Sequence, residues 1–322
     1  MISILGGAGF VGYKLSALLD SKSLKYSIYD KKLSGGSFCD VTVPSSLRAL
    51  KGAESVVNLA AVHRDDIFPL SLYDDVNVGG ARSLCDAARK YDIKKIVFTS
   101  SVAIYGFAPA DTGELGEVNY FNDYGRTKYL AEGVYKEWQA EDPDDRTLVI
   151  VRPTVIFGEG NRGNVYNLLK QIATGRFVMF GDGKNKKSMA YVENVAAFLE
   201  YSLSFAPGVH IHNYVDKPDF DMSGLVSTAR ATLFGKENVG IRLPAFLGVA
   251  IGYVADAIAA ITRKSLPVSS IRVKKFLGTT QFASSVSQTG FVAPVTLKAG
   301  LARTLKYEFL DDNSDKRTFD TE

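Results

Sequence analysis

Cysteine is almost missing: the 322 residues hold two, Cys39 and Cys85. They allow at most one bridge and show no metal-ligand spacing, so a disulfide framework is excluded, no metal site is expected, and a reducing, cytoplasmic setting fits. Charge of one sign is also scarce. A net charge of +3 is too small to make nucleic acid the partner. The start, MISILGGAGF, has no basic stretch ahead of its apolar residues and no cleavage site after them; it reads as a strand entering a glycine turn rather than as a signal peptide. Internal repeats and low-complexity linkers are absent. Long hydrophobic runs are absent with one exception, LPAFLGVAIGYVADAIAAI (Leu243 to Ile261), whose one formal charge is Asp256.

What is present is a rhythm. The β-branched runs ISIL, YSIY, SVVN, KIVFTS and LVIV read as strands, and segments near 11–20, 78–91 and 123–140 read as helices. Nearly continuous hydrophobic strands separated by helices indicate a parallel sheet covered on both faces. After RPTVIFGEGNRGN the rhythm breaks into helices near 164–174 and 192–204, a strand near 209–214 and shorter pieces. The expected fold class is therefore α/β, a Rossmann-like doubly wound parallel sheet with a smaller C-terminal substrate-binding domain. Residues 1–160 with 188–215 would form the first unit, 161–187 with 216–310 the second, and the polar stretch 311–322 a frayed tail.

The stretch ISILGGAGFVG sets Gly6, Gly9 and Gly12 at G-x-x-G-x-x-G spacing, directly after a strand and opening a helix. Glycines there permit a tight turn and let backbone N–H groups meet a pyrophosphate at the positive end of the helix. The next strand ends in Asp30, at the distance where a carboxylate accepts the ribose hydroxyls and repels a 2′-phosphate. NAD is accordingly favoured over NADP, although Lys31 and Lys32 follow. Around the loop, Phe10 and Val11 open the helix, Asp40 and Val41 in CDVT would cup the adenine, and Leu59, Ala60 and Ala61 in NLAA would run beneath the cofactor, with Thr99 at the end of the fourth strand.

The run YGRTKYLAE places Tyr124 and Lys128 four apart, on one face of a helix. A free phenol with a pKa near ~10 is a poor base at neutral pH, and a neighbouring ammonium brings it towards the working range. Upstream, FTSSVAIYG puts Ser101 at the carboxyl edge of the sheet, where it can hydrogen-bond the reacting hydroxyl and relay its proton.

With GGAGFVG, NLAA, DVNVGG, FTSSVAIYG, YGRTK, RPTVIFG and SMAYVENV in this order, the chain resembles the extended short-chain dehydrogenases/reductases, in the nucleotide-sugar epimerase/dehydratase branch, over nearly its whole length. The resemblance implies that Asn77 is the structural asparagine of the active site, that Pro153 and Thr154 lie against the nicotinamide, and that Lys187 holds a substrate diphosphate, where relatives usually carry Arg. It also implies a homodimer through the helices near 78–91 and 123–140. Dehydratases and decarboxylases of the branch carry acidic residues where this chain has Val102 and Ala103, which cannot move a proton. Reversible oxidation at one carbinol remains: epimerisation with the cofactor recycled, or reduction of a keto-sugar. In the epimerase case Tyr124, assisted by Ser101, takes the 4-hydroxyl proton, and the flat 4-keto sugar turns over before hydride and proton return.

Further segments, including AVHRDDIFPLSLYDDVNVGG, NRGNVYNLLKQIATGRF and SSIRVKKFLGTTQF, are similar to the bacterial family that epimerises N-acetylglucosamine on undecaprenyl diphosphate, the start of some O-antigen (lipopolysaccharide) and other glycan units. That implies a polyprenyl-diphosphate-linked amino sugar as substrate and a peripheral site on the cytoplasmic face of the inner membrane. Soluble UDP-N-acetylglucosamine epimerases and 4-keto-sugar reductases share the scaffold and stay open, as does a non-catalytic dinucleotide sensor. His63, Arg64, Asp65 and Asp66 follow NLAA and face either the sugar or only solvent. Arg162 and Asn164 are candidate diphosphate ligands, Asn164 being equally readable as a helix cap. Arg272, Lys274 and Lys275 are a basic cluster for diphosphate, headgroups or water.

The long apolar run is short for a bilayer span, which needs about 20 apolar residues, and Asp256 would cost roughly 3 kcal/mol near the bilayer centre. On a helical wheel Leu247, Ile251, Val254, Ile258 and Ile261 form one stripe, and Gly248, Gly252, Asp256 and Arg263 another. Either the apolar stripe packs into the substrate domain, or it lies on a membrane surface, with Arg263 and Lys264 drawing anionic headgroups to the Leu243–Lys264 region.

Overall fold

Residues 1–64, 67–262 and 270–320 are described by the computed structural model. Six strands, β1 (Ile2–Leu5), β2 (Tyr26–Tyr29), β3 (Ser55–Asn58), β4 (Lys95–Thr99), β5 (Thr147–Pro153) and, later in the chain, β10 (Gly208–Tyr214), form one sheet in the order β10-β5-β4-β3-β1-β2. Every neighbouring pair is parallel. The continuous hydrophobicity of the strands has the expected cause. Alternate residues feed two different cores: Ile96, Phe98, Leu148 and Ile150 join α3 (Gly80–Tyr91) and α4 (Asp123–Ala140) on one face, while Val97, Val149 and Val151 join α1 (Phe10–Ser21) and α6 (Val192–Ser202) on the other. A single turn, α2 (Ser71–Tyr73), enters α3 through a π-helical turn at Asp74–Gly79.

The chain leaves β1 towards β2 and returns to β3 on the opposite side of β1. This reversal opens a crevice at the carboxyl ends of β1 and β3, the place where doubly wound sheets bind ligands.

The later part of the chain builds a third core from Phe157, Leu169, Met179, Met189, Tyr191, Leu225 and Leu301. Its frame is β6 (Val155–Phe157) with β9 (Met189–Tyr191), β7 (Met179–Phe180) with β12 (Arg242–Leu243), and β8 (Lys186–Lys187) with β11 (Phe220–Asp221). The helices α5 (Asn164–Ala173), α7 (Met222–Phe234) and α10 (Leu297–Phe309) pack around these strands.

The apolar run folds as α8 (Ala245–Thr262), beside α9 (Ser270–Leu277). Its buried side is the small-residue stripe, the reverse of a core helix: Gly248 and Gly252 are buried, and a Cβ on Gly248 would stand 2.8 Å from the Phe180 ring. Asp256 also turns inward, accepting from the Ser270 N–H at 3.2 Å. Leu247, Ile251, Val254 and Ile258 are exposed, as are Phe246 and Tyr253. The small residues let the backbone settle closely, which leaves the large ones outside. No helix among the described residues is long and apolar enough to cross a membrane.

One expectation is corrected. The tail is not frayed through 311–320. It turns at Asp312, whose Oδ1 accepts from the Ser314 N–H, and returns to the body, where the Phe319 N–H donates to Gly160 O at 2.8 Å and Phe319 O accepts from the Arg162 N–H at 2.9 Å. Composition hid this because one aromatic anchors a polar segment: the Phe319 ring lies 5.6 Å from those of Phe10 and Tyr13.

Candidate active site

The glycine loop lines the crevice. Gly6 takes φ +73, and a Cβ there would meet Ala60 N at 2.6 Å, so the loop lies directly against the Leu59–Ala61 segment that follows β3. A Cβ on Gly12 would strike the Gly7 backbone at 2.6 Å. Helix α1 starts from Gly9 with no side chain capping it, so its first-turn N–H groups at Phe10 and Val11 are left for an anion. Asp30 is buried, its two oxygens accepting from the Ala8 N–H at 3.1 Å and the Lys32 N–H at 2.9 Å. The carboxylate thus shapes the loop it was expected to serve. Asp40 accepts from Thr42 N–H and Oγ1, and Val41 packs against Gly80.

On the other side of the crevice stands α4. Asn122 caps it, accepting from the Gly125 N–H at 3.0 Å. A Cβ on Gly125 would lie 2.5 Å from Ala103 O, so only glycine lets the helix approach the turn after β4 this closely. Tyr124 and Lys128 share one face as predicted, with the Lys128 Nζ 6.0 Å from the Tyr124 ring centroid. The amine donates to Thr99 O at 2.8 Å and lies 4.7 Å from the Phe98 ring centroid. Burial pushes its pKa down to about 7, against the pull of Glu132. Ser101, half-buried, accepts from the Ala103 N–H at 3.1 Å, which leaves its own proton free to donate. The Thr99 hydroxyl is buried without a protein partner, an orphan of the kind a bound ribose or amide would satisfy. Uncapped amides, close glycines, an acid after β2 and an orphaned hydroxyl together fit a dinucleotide.

Asn77 clamps the crevice wall. Its amide accepts from Val62 N–H at 2.9 Å and donates to Val62 O at 3.0 Å and Thr127 Oγ1 at 2.9 Å. It thereby ties the segment after β3 to α4 and is satisfied by protein alone, a structural role rather than a direct cofactor contact. Pro153 closes β5, and the Thr154 N–H donates to Tyr214 O at 3.1 Å.

The candidate diphosphate ligands divide. Lys187 is half-buried, with Nζ donating to Gly278 O at 2.7 Å, and burial lowers its pKa to about 8. Asn164 is exposed at the first turn of α5 and does not cap it; Gly163 takes that place. Arg162 departs from expectation. Its guanidinium pairs with Glu308 and stacks 4.3 Å from the Tyr166 centroid, so recruiting it to a diphosphate would break an ion pair. Arg64 contributes its carbonyl to the Tyr73 hydroxyl, and His63 is exposed. Asp65, Asp66, Arg263 and Lys264 lie outside the described residues, as do the side chains of Arg272, Lys274 and Lys275.

A buried polar network beneath the site was missed by sequence reasoning. Arg152 bonds Glu132 twice, at 2.8 and 2.6 Å, and donates to the Tyr105 hydroxyl at 2.7 Å and Glu114 O at 3.0 Å. Ser100 Oγ donates to Glu132 at 2.6 Å, and Tyr105 passes the chain on to Asn213. The neighbours of two of the three catalytic candidates, Ser100 beside Ser101 and Glu132 one turn from Lys128, are therefore fixed by one ion pair. Losing either member would strand the other charge in the core, typically costing about 3–5 kcal/mol. The signal was present: an arginine ending the apolar strand LVIVRP needs a partner, and Glu132 repeats the four-residue spacing of Tyr124 and Lys128.

Known proteins are similar to this chain in sequence and fold. The family model for the NAD dependent epimerase/dehydratase family matches residues 2–214. A curated relative from Escherichia coli O157:H7, an N-acetyl-alpha-D-glucosaminyl-diphospho-ditrans,octacis-undecaprenol 4-epimerase, is 46% identical over 100% of this chain and 99% of its own. Among solved structures, the UDP-N-acetylglucosamine 4-epimerase from Bacillus cereus superposes with a TM-score of 0.75 at 15% identity, covering 94% of this chain and 97% of that one. A UDP-glucose 4-epimerase from Thermus thermophilus in complex with NAD gives 0.70 at 18% identity, covering 95% and 97%. At such identities the two structures speak for the fold alone.

Proposed function

The chain belongs to the NAD-dependent epimerase/dehydratase family, and from that premise we propose that it interconverts N-acetylglucosamine and N-acetylgalactosamine on undecaprenyl diphosphate by 4-epimerisation. The observation that carries this reading is the full-length, 46% identity to an enzyme of that activity, supported by Tyr124 and Lys128 on one face of α4 with the Lys128 Nζ 6.0 Å from the Tyr124 ring centroid. Bound NAD supplies the hydride acceptor and donor. Tyr124 takes the 4-hydroxyl proton, Lys128 beneath it favours the phenolate, and Ser101 donates to the reacting oxygen. Val102 and Ala103, in the turn after β4, offer no acid or base for water loss.

Such a lipid keeps its tail in the bilayer, and the exposed face of α8 suits a peripheral contact there, with Phe246 at 69% and Val254 at 60% exposure. The product would feed O-antigen or another surface glycan, made on the cytoplasmic face of the membrane. Pure enzyme incubated with undecaprenyl-diphosphate N-acetylglucosamine in anionic vesicles is expected to turn over without added reduced cofactor, far faster than with UDP-N-acetylglucosamine. Ile251→Glu should weaken vesicle binding and lipid turnover together. Turnover of the UDP-sugar alone would sink the lipid-linked substrate, and stoichiometric consumption of NADH would make the enzyme a reductase.

The outer face of α3 and α4 supports a homodimer. Tyr129 and Leu130 are exposed beside Gly133, where a Cβ would meet nothing within 4 Å. Sedimentation is expected to give a dimer at micromolar concentration, reduced to monomer by Leu130→Glu; a wild-type monomer would refute it.

A further inference from the structure

We propose that the C-terminal segment Asp312–Asp320 is a strap across the cofactor loop, and that Arg317 in it holds the pyrophosphate of the bound dinucleotide and slows its release. The proposal rests on the reading of the glycine loop as the NAD site. It starts from where Arg317 stands. Its Nη2 donates to Ala8 O at 2.8 Å, and Ala8 is the residue whose N–H is held by Asp30. The peptide leading into α1 is therefore gripped from both ends, by the ribose carboxylate and by the strap. The guanidinium lies 4.9 Å from the Phe319 ring centroid and 5.8 Å from that of Tyr13.

A guanidinium carries five donors. One is spent on Ala8 O, and no carboxylate among the described residues forms an ion pair with it; Arg162, its neighbour across the strap, is by contrast neutralised by Glu308. Arg317 thus brings an uncompensated positive charge to the mouth of α1, whose uncapped first turn already favours an anion. The strap is seated independently of any ligand. Phe319 pairs with Gly160 and Arg162 and packs on Phe10, while the Gly160 N–H also donates to Glu308 of α10 at 2.7 Å. With Asn313 donating to Tyr307 O of α10 at 2.8 Å, one short segment fastens α10, the 158–162 loop and the glycine loop to one another. An epimerase regenerates its cofactor in every cycle, so a device that slows release costs it nothing in throughput.

Release is read on the full-length enzyme, loaded with NADH and chased with excess NAD, by the loss of bound-NADH fluorescence. Arg317→Met is expected to speed release about tenfold or more, the scale of a lost charge-assisted hydrogen bond. Arg317→Lys should recover part of the difference because it keeps the charge, which separates lost charge from lost fold. Phe319→Ala, which unseats the strap, should accelerate release as well. Rising salt should speed release from the wild type more than from Arg317→Met. Equal rates for wild type and Arg317→Met overturn the strap. No sugar is present, so the result is independent of the substrate, whereas failure to bind NADH at all would overturn the cofactor reading itself.

Discussion

Tyr124→Phe is expected to lower epimerase turnover by about three orders of magnitude, within the range that positioned acid–base groups supply, while leaving NADH binding close to wild type. In the proposed mechanism the phenol oxygen is the atom that exchanges the sugar proton, and the ring that remains would keep its place on α4. Ser101 cannot substitute, because a serine hydroxyl has no lowered pKa without a base beside it, and its oxygen already accepts from the Ala103 N–H. The measurement is steady-state turnover alongside NADH binding on the same preparation. A loss of less than about tenfold would remove Tyr124 from the role of base.

Lys128→Met is expected to abolish most turnover and yet stabilise the cofactor-free protein. The amine titrates near 10.5 when free and near 7 in the folded chain, lowered by burial. Between those values the unfolded chain binds more protons than the folded one, so wild-type stability rises with pH across the window. The penalty is fully present below pH 7 and fades as pH rises towards 10.5. At about 1.4 kcal/mol per pKa unit, burial of the ammonium costs about 4 kcal/mol at pH 7 and about 2 kcal/mol at pH 9. Methionine removes that penalty and forfeits about 1 kcal/mol for the lost bond to Thr99 O. The variant should therefore be more stable by about 3 kcal/mol at pH 7 and by about 1 kcal/mol at pH 9, and less stable by under about 1 kcal/mol near pH 10.5, where only the lost hydrogen bond remains. Denaturant melts across that range test the slope. A variant less stable than wild type at pH 7 would mean that the folded lysine is fully compensated. Its turnover should fall at least about a hundredfold, since the phenolate loses its cation.

The same residue shows why structure had to complete the sequence. Spacing alone put Lys128 under Tyr124, because a helix fixes which residues share a face. Spacing could not show the Glu132–Arg152 pair behind them, since that contact joins α4 to β5 across 20 positions. Arg162 taught the converse: a cation in a glycine-rich loop invited a phosphate, but α10 returns from far along the chain and brings Glu308 to it.

By itself the sequence determined the parallel sheet, the glycine crevice and the Tyr124–Lys128 face, because continuous apolar runs, close-packed glycines and helix spacing are local properties that need no distant partner. Which side of the apolar helix α8 faces inward, and where the polar tail goes, was decided only by the tertiary structure. Both depend on matching shapes from separate segments. Gly248 buries where Phe180 offers a flat ring, and Phe319 finds the cleft between Phe10 and Tyr13. The sequence left the large side chains of α8 open between the core and a membrane surface, and close backbone packing through the small stripe put them outside.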